Sequence, residues 1–397
     1  MAQSSPWIRV GAHGVFLYTF ADPVPHGQSL SEARLVQPTI MAHAGALSNR
    51  LRFTGTLELE GLTISNGELT PGAWGEGFID RRHPHTYVHE LILSANDLLG
   101  GKDGPVRLSI SGGKGFAPFG TDDPMSRPIV RFPVNHHLAQ ILERAVVMAG
   151  VDAGGVIVEG SLFNGDEPER PDQSPNFSRF GDSWSGRVTL LPHYTLELQG
   201  SLAEVSSPEH RQGSGTDQDK WSISGRWVGQ VKGYPVYGLA ELSRTSEAEG
   251  TFVFHSFLAE GAVSRGHSRL HYRFERTERP EEERTLDPFR SVRPHFENSI
   301  QGTTRWTIHT LGYGLELGGS LAALRVAPVV EVSYGRMADV GGGLFDVESF
   351  YGGTSFWSLS VGFRLNPGMR MHRMGRYGVL QDTAGEEKME QHEHHAH

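Results

Sequence analysis

The chain has 397 residues, a formal net charge of -10, 50 glycines, no cysteine and a mean hydropathy of -0.35. That length admits two ordinary domains or one large β-structure. Without cysteine neither a disulfide framework nor a thiolate metal site can form, and an acidic balance with no basic face argues against nucleic acid as a partner.

No stretch reads as a membrane-spanning helix. The most apolar region, residues 145–158, is broken by Asp152 and falls short of the length a helical span needs. The opening "MAQSSPW" has neither a basic start nor an apolar run. Any reading that needs export therefore expects a leader already removed.

In chain order, one pattern recurs. "LRFTGTLELEG" puts Leu51, Phe53, Gly55, Leu57 and Leu59 on one side and Arg52, Thr54, Thr56, Glu58 and Glu60 on the other. "VRLSIS", "SWSGRVTLLPHYTLELQGSL", "WSISGRW", "RLHYRFER" and "FWSLSVGFRL" repeat the alternation to residue 365. Successive side chains of a strand point to opposite faces, so each segment has one apolar and one polar face. The pattern predicts about sixteen strands of oblique membrane-crossing length: 8–19, 34–47, 50–62, 85–96, 105–116, 143–151, 154–163, 182–191, 194–205, 219–230, 233–245, 250–262, 266–278, 299–316, 323–338 and 354–365. The second, fourth, eleventh, twelfth and fourteenth alternate poorly.

The connectors sort by length. Short ones at 48–49, 95–104, 152–153, 192–193, 231–232, 264–265 and 318–322 alternate with longer ones at 20–33, 63–84, 117–142, 164–181, 206–218, 279–298 and 340–353, with only 246–249 breaking the rule. An up-and-down meander puts alternate connectors at opposite ends, and outer-membrane barrels have short turns at one end and long loops at the other. Gly55, Gly186, Gly200 and Gly225 fall on apolar faces, where a packed core would need filling but fluid lipid would not. Tyr18, Tyr87, Trp184, Tyr194 and Trp357 sit near strand ends, as interfacial girdles do. The expected fold is all-β: a transmembrane antiparallel up-and-down barrel over residues 1–366, followed by a disordered His- and Met-rich tail at 367–397. A soluble β-sandwich or propeller is the competitor.

"GKGFAPFG" (Lys114 to Gly120) and "GVIVEGSLFNGD" (Gly155 to Asp166) resemble bacterial outer-membrane porins of the phosphate-selective O/P-like group. There a strand ends in a Pro-Phe-Gly turn before the third external loop, and a later strand ends in Phe-Asn-Gly. Pro118-Phe119-Gly120 and Phe163-Asn164-Gly165 hold those positions here. The resemblance implies a sixteen-stranded homotrimeric diffusion channel in the outer membrane of a Gram-negative-type bacterium, with its third loop folded inward. Phosphate selectivity is not carried over, because the expected inward faces mix signs: Arg52, Arg107, Arg187, Arg226, Arg269, Arg273 and Arg364 with Glu58, Glu197 and others. A mixed lining gives little charge selectivity.

Within the third loop, Asp122 and Asp123 oppose Arg127 and Arg131. They would set up a transverse field at a constriction, or simply tie the loop down by internal pairs. "NHHLAQILER" suggests a short helix capped by Asn135. His83, His85 and His89, with His136 and His137 nearby in a meander, and His392, His394, His395 and His397 in the tail, are candidate zinc or copper ligands. The plain reading is polar loop histidines and a solvated tail.

No catalytic constellation emerges: there is no phosphate-cradling glycine loop, no nucleophile elbow and no His-Glu-x-x-His pattern. The sequence is expected not to encode an enzyme and to require no cofactor. Its expected partners are outer-membrane lipid and small hydrophilic solutes. Two functional alternatives stand beside the diffusion channel: a zinc or copper uptake barrel with a His-rich mouth and tail, and a soluble carbohydrate-binding β-protein.

Overall fold

Hydrocarbon offers no hydrogen-bond partner, so a chain that crosses it in strands must pair every strand on both edges. A computed structural model of the chain does this. It describes residues 6–24, 27–63, 85–101, 104–121, 123–168, 170–282, 300–317, 324–341, 343–368 and 372–383. The meander opens with β1 (Trp7–Val24), β2 (Gln28–Ala46), β3 (Leu51–Glu58) and β4 (Val88–Ala95). It continues with β5 (Arg107–Gly115), β6 (Arg144–Asp152), β7 (Val156–Phe163) and β8 (Ser183–His193). β9 (Leu196–Val205), β10 (Gln218–Val231), β11 (Tyr234–Glu247) and β12 (Phe252–Arg265) follow. β13 (Ser268–Glu282), β14 (Ile300–Leu315), β15 (Leu324–Gly341) and β16 (Ser355–Pro367) complete it.

Each strand pairs antiparallel with its sequence neighbours, and β1 pairs with β16 from Gly14↔Leu365 to Asp22↔Trp357, which closes the barrel. No helix among the described residues is long and apolar enough to cross a membrane. The crossing is made by strands.

The alternation has the expected consequence. On β8, Trp184, Val188 and Leu190 are exposed while Ser183, Ser185, Arg187 and Thr189 are buried. On β9, Leu198 and Leu202 are exposed while Glu197, Gln199 and Ser201 are buried. The same outward belt runs through Leu91 and Leu93, Ile223, Leu242, Leu270, Val332 and Val361. An apolar patch of that extent is foreign to a soluble surface, which removes the sandwich and propeller readings. A Cβ built on Gly200 meets nothing within 4 Å, so that position opens outward with no packing partner.

Two departures from the sequence reading are informative. The first connector is not 20–33: β1 and β2 extend through that stretch and leave only residues 25–27 between them. Paired strands project beyond the apolar belt, where alternation no longer marks them. The poor alternation of the fourth strand has a local cause. The register of β3 and β4 shifts between Thr56↔Glu90 and Leu57↔Val88. This bulge turns two successive side chains, His89 and Glu90, to the buried side.

The interior is not an empty tube. Ile92, Phe116, Phe119, Phe132, Phe163 and others form a buried apolar cluster that includes Met374 and Tyr377 from beyond β16. A second cluster joins Val134 to Trp306, Ile308, Phe345, Phe350, Tyr351 and Phe356. The connector between β15 and β16, with its short helix Val347–Tyr351, therefore folds over the wall and the third loop.

The outward phase predicts a directional effect. Val188→Arg would place a cation on the lipid side and should destabilise the barrel by about 2–4 kcal/mol near the bilayer midplane. Val188→Leu should be nearly neutral. Chaotrope unfolding in liposomes, read by the loss of the heat-modifiable band, measures the difference.

Candidate functional site

The wall is charged on its inner side, and its buried arginines Arg107, Arg187 and Arg273 are paired with carboxylates. Arg107, Arg187, Arg273, Glu58 and Glu197 are buried, and Arg52, Arg226, Arg269 and Arg364 are half-buried on the same inward phase. Arg107 donates to Asp97 at 2.7 Å, Arg187 to Glu159 at 2.7 Å and Arg273 to Glu260 at 2.7 Å. Arg269 reaches Glu316 at 2.9 Å, and Arg226 lies over the Tyr237 ring at 5.7 Å. Glu58 accepts from the Glu60 amide at 3.0 Å. Two opposite charges withdrawn from water offset each other's desolvation only with close geometry, and these pairs have it.

Residues 116–143, the connector between β5 and β6, enter this charged interior. Two wall carboxylates hold the backbone. Glu331 on β15 accepts from the amides of Val130 at 2.7 Å and Arg131 at 3.1 Å. Glu275 on β13 accepts from the amide of Val134 at 2.7 Å and from the Arg131 guanidinium at 3.3 Å. Gln37 on β2 donates to the Val130 carbonyl, Arg364 on β16 to that of Pro128, and Arg273 to that of Arg131. Asn135 donates to Glu241 on β11 at 2.9 Å. The helix it precedes is one turn, His136–Ala139, and Asn135 makes no capping bond there.

Asp123 is buried and accepts from the Met125 amide at 2.8 Å, capping a turn that begins at Pro124. Arg127 approaches Glu260 at 3.9 Å, and Arg131 pairs with Glu275. Both arginines thus meet carboxylates of the wall. Asp122 lies outside the described residues.

The two short motifs fix the loop at its root. Gly120 has φ +67, and a Cβ there would stand 1.8 Å from the Ala139 carbonyl oxygen. Its amide donates to Ser201 and its carbonyl accepts from Arg187. Phe163 is fully buried, and the Asn164 side chain accepts from the Ala145 amide at 2.7 Å. Both motifs serve loop geometry.

A second segment occupies the interior where a solvated tail was expected. Residues 372–380 are buried. Arg373 makes two bonds to Glu197 on β9, at 2.9 and 3.0 Å, and Arg376 a third at 2.8 Å. Glu90 accepts from His372 at 2.9 Å and from the Tyr377 hydroxyl at 2.5 Å. Burial and the Glu90 carboxylate push the Tyr377 hydroxyl well above its ordinary range, which keeps it a donor. Arg187 donates to the Gly375 carbonyl, and the Val379 amide donates to Ser109. The disordered-tail reading is therefore corrected for residues 372–381, because these arginines find carboxylates and the apolar residues find a core. His392, His394, His395 and His397 lie outside the described residues.

The structure brings three of the candidate histidines together. The His85 ring centroid is 4.9 Å from that of His89 and 5.7 Å from that of His136, with Phe132 stacked on His136 at 5.2 Å. His89 contacts Glu143 at 2.5 Å, and Glu143 also accepts from the Thr86 amide. Among the described residues no group of three or more His, Asp or Glu is arranged to hold a metal ion. His83 and the His137 side chain are outside the described set.

With this geometry in place, the comparisons take on meaning. No protein-family model and no curated protein matches the chain. Solved structures do match. An anion-selective porin from Comamonas acidovorans is 11% identical, with 92% of this chain and 100% of that one covered and a TM-score of 0.54. OprB of Pseudomonas putida is 11% identical over 92% of this chain and 94% of its own, with a TM-score of 0.55. The outer-membrane channel DcaP of Acinetobacter baumannii is 9% identical, covers 93% and 99%, and has a TM-score of 0.54. The fold is that of the outer-membrane porins. At such identities the likeness concerns the barrel alone.

Two tests address the loop. Glu331→Ala removes the acceptor for two buried amides, a loss of about 1–3 kcal/mol of local stability for a stranded buried donor. Trypsin should then cut after Arg131 in the folded barrel, and the unaltered chain should resist. The second concerns pH. Burial pushes the Glu143 carboxyl up, but the His89 hydrogen bond and the neighbouring positive charges outweigh it and hold it below its ordinary value. A depressed carboxylate contributes stability that is present above its unfolded value and lost as pH falls through the folded one. Protection from hydrogen exchange at residues 116–143, taken relative to the intrinsic amide rate at each pH, should thus be unchanged from pH 7 to about 5 and fall only below about pH 4.

Proposed function

We propose that this chain is an outer-membrane porin that passes small hydrophilic solutes or ions by passive diffusion, with loop 117–142 narrowing the lumen. The observation that carries this reading is the sixteen-stranded barrel with its ionised side chains turned inward and its apolar side chains turned outward. Such a wall has no other evident use than to hold water and polar solutes away from lipid. In this reading Arg52, Glu58, Arg107, Arg187, Glu197, Arg226, Arg269, Arg273 and Arg364 line the passage, and Asp122, Asp123, Arg127 and Arg131 belong to the constriction. It calls for no cofactor, no catalytic residue and no nucleic acid. We place the protein in the outer membrane of a Gram-negative-type bacterium, as a homotrimer by analogy with the porin fold.

The phosphate-selective O/P-like resemblance enters here only through Pro118-Phe119-Gly120 and Phe163-Asn164-Gly165. We do not extend it to the solute, because Arg187, Arg273, Arg131 and Arg373 are matched at close range by Glu159, Glu260, Glu275 and Glu197. Paired charges leave little net field to sort ions by sign. Histidine-based metal uptake is the weaker reading, since His89 is engaged by Glu143 and His136 is stacked on Phe132.

Planar-bilayer recording tests the proposal. Discrete current steps are expected, with a reversal potential within about 10 mV of zero in a tenfold salt gradient. Folded protein that gives no steps under any condition would overturn the channel reading.

A further inference from the structure

The segment after β16 meets the wall through a particular chemistry. Two of its arginines, at positions 373 and 376, converge on one carboxylate, and Glu197 takes Arg373 through two parallel bonds. A guanidinium fork against a carboxylate is a recognition geometry, directional as well as charged. Around it the wall addresses peptide backbone. Arg187 donates to the Gly375 carbonyl at 3.0 Å, Glu90 accepts from the Gly375 amide at 3.3 Å, and Ser109 accepts from the Val379 amide at 3.0 Å.

The wall half of this arrangement is built by the barrel itself. Glu197 sits on the inward phase of β9. Glu90 is turned inward by the β4 bulge and held by Thr56 at 2.8 Å. Arg187 is fixed by its two bonds to Glu159, at 2.7 and 3.1 Å. None of these supports comes from the segment. Were the segment to leave, Glu90, Glu197 and the oriented Arg187 guanidinium would each lose the bonds it makes to them in a confined space, where hydrogen bonds to charged groups are the strong ones. They would favour a replacement of the same chemistry.

We propose that Glu90, Arg187 and Glu197 form a lumenal binding site for arginine-containing peptides, and that the chain's own residues 372–377 occupy it as a tethered competitor. The proposal rests on the porin reading for its route of access but not for its binding chemistry. A tether raises the local concentration of the competitor far above that of a free ligand. Occupation of the site by a solute therefore displaces the segment from the β3–β9 side of the lumen. The result couples the presence of basic peptide to the width of the passage. Lysine would be a poorer ligand, because a compact ammonium cannot fill the bidentate geometry at Glu197.

The test uses the full chain in detergent and a fluorescein-labelled hexapeptide of sequence His-Arg-Met-Gly-Arg-Tyr, followed by anisotropy. Arg373→Ala with Arg376→Ala should bind the peptide about tenfold more tightly than the unaltered chain, which is about 1.4 kcal/mol. Adding Glu197→Gln should abolish that gain, and a peptide with both arginines replaced by lysine should bind weakly. Equal affinity in the unaltered and doubly substituted chains, or indifference to Glu197→Gln, would overturn the proposal. Should the alanine pair fail to give a heat-modifiable barrel, Arg373→Lys with Arg376→Lys keeps the charge but loses the fork, and the same rise in peptide affinity is expected. Bilayer current on the same preparations separates the two readings. Peptide binding without current keeps the site and removes the channel, and current without peptide binding does the reverse.

Discussion

Everything in this molecule follows from the lack of hydrogen-bonding partners in hydrocarbon. A backbone that enters lipid must satisfy its amides and carbonyls within the protein, and a strand does so only with a neighbour on each side. Sixteen strands paired in sequence order, closed by β1 against β16, meet the requirement without a free edge. Closure then separates two solvents. Outward positions take leucine, valine, tryptophan and tyrosine, and inward positions take serine, threonine, arginine and glutamate.

Closure also creates a volume that the wall must fill or hydrate, and this barrel fills much of it with its own chain. The loop of residues 116–143 is bonded to β2, β9, β11, β13, β15 and β16. The segment 372–381 is bonded to β3, β4, β5, β8 and β9. The two meet at β8 and β9, where Arg187 donates to the carbonyls of both Gly120 and Gly375. Both are held by the same device, a wall carboxylate that receives backbone amides or a guanidinium. Glutamates at 90, 197, 275 and 331 thus perform a role that a soluble protein would give to an apolar core, and Met374, Tyr377, Phe119 and Phe132 add apolar packing between them.

Most of the wall was legible in the sequence because one physical rule, alternation imposed by lipid, writes it. Fourteen of the sixteen expected spans depart from the observed strands by only a few residues at their ends, whereas the first pair runs on through 20–33, where Pro23 and a polar stretch hid it. The bulge at His89 explains why the fourth strand looked irregular. The interior was harder to read. Loop 117–142 announced itself by length and by its turn motifs, but its anchors lie on strands far away in sequence, and nothing local marks Glu275 or Glu331 as clamps. Residues 372–381 depart from what composition alone suggests. "RMGRYGVL" carries Tyr377, Val379 and Leu380 next to its arginines, an apolar run at odds with a solvated segment, and that run was the available signal. Arginines that look like solvating charge become anchors once an inward carboxylate is within reach.

The claim on which the rest depends is that the apolar phase of the strands faces lipid. Because the chain has no cysteine, a single introduced cysteine carries a spin label without background. Labels placed one at a time along residues 196–205 of β9, in bilayers, report collisions with oxygen dissolved in lipid and with a water-soluble nickel chelate. The account predicts oxygen contact peaking at 198, 200 and 202, with the intervening positions shielded from oxygen. A flat profile, or oxygen contact at 197, 199 and 201, would contradict it.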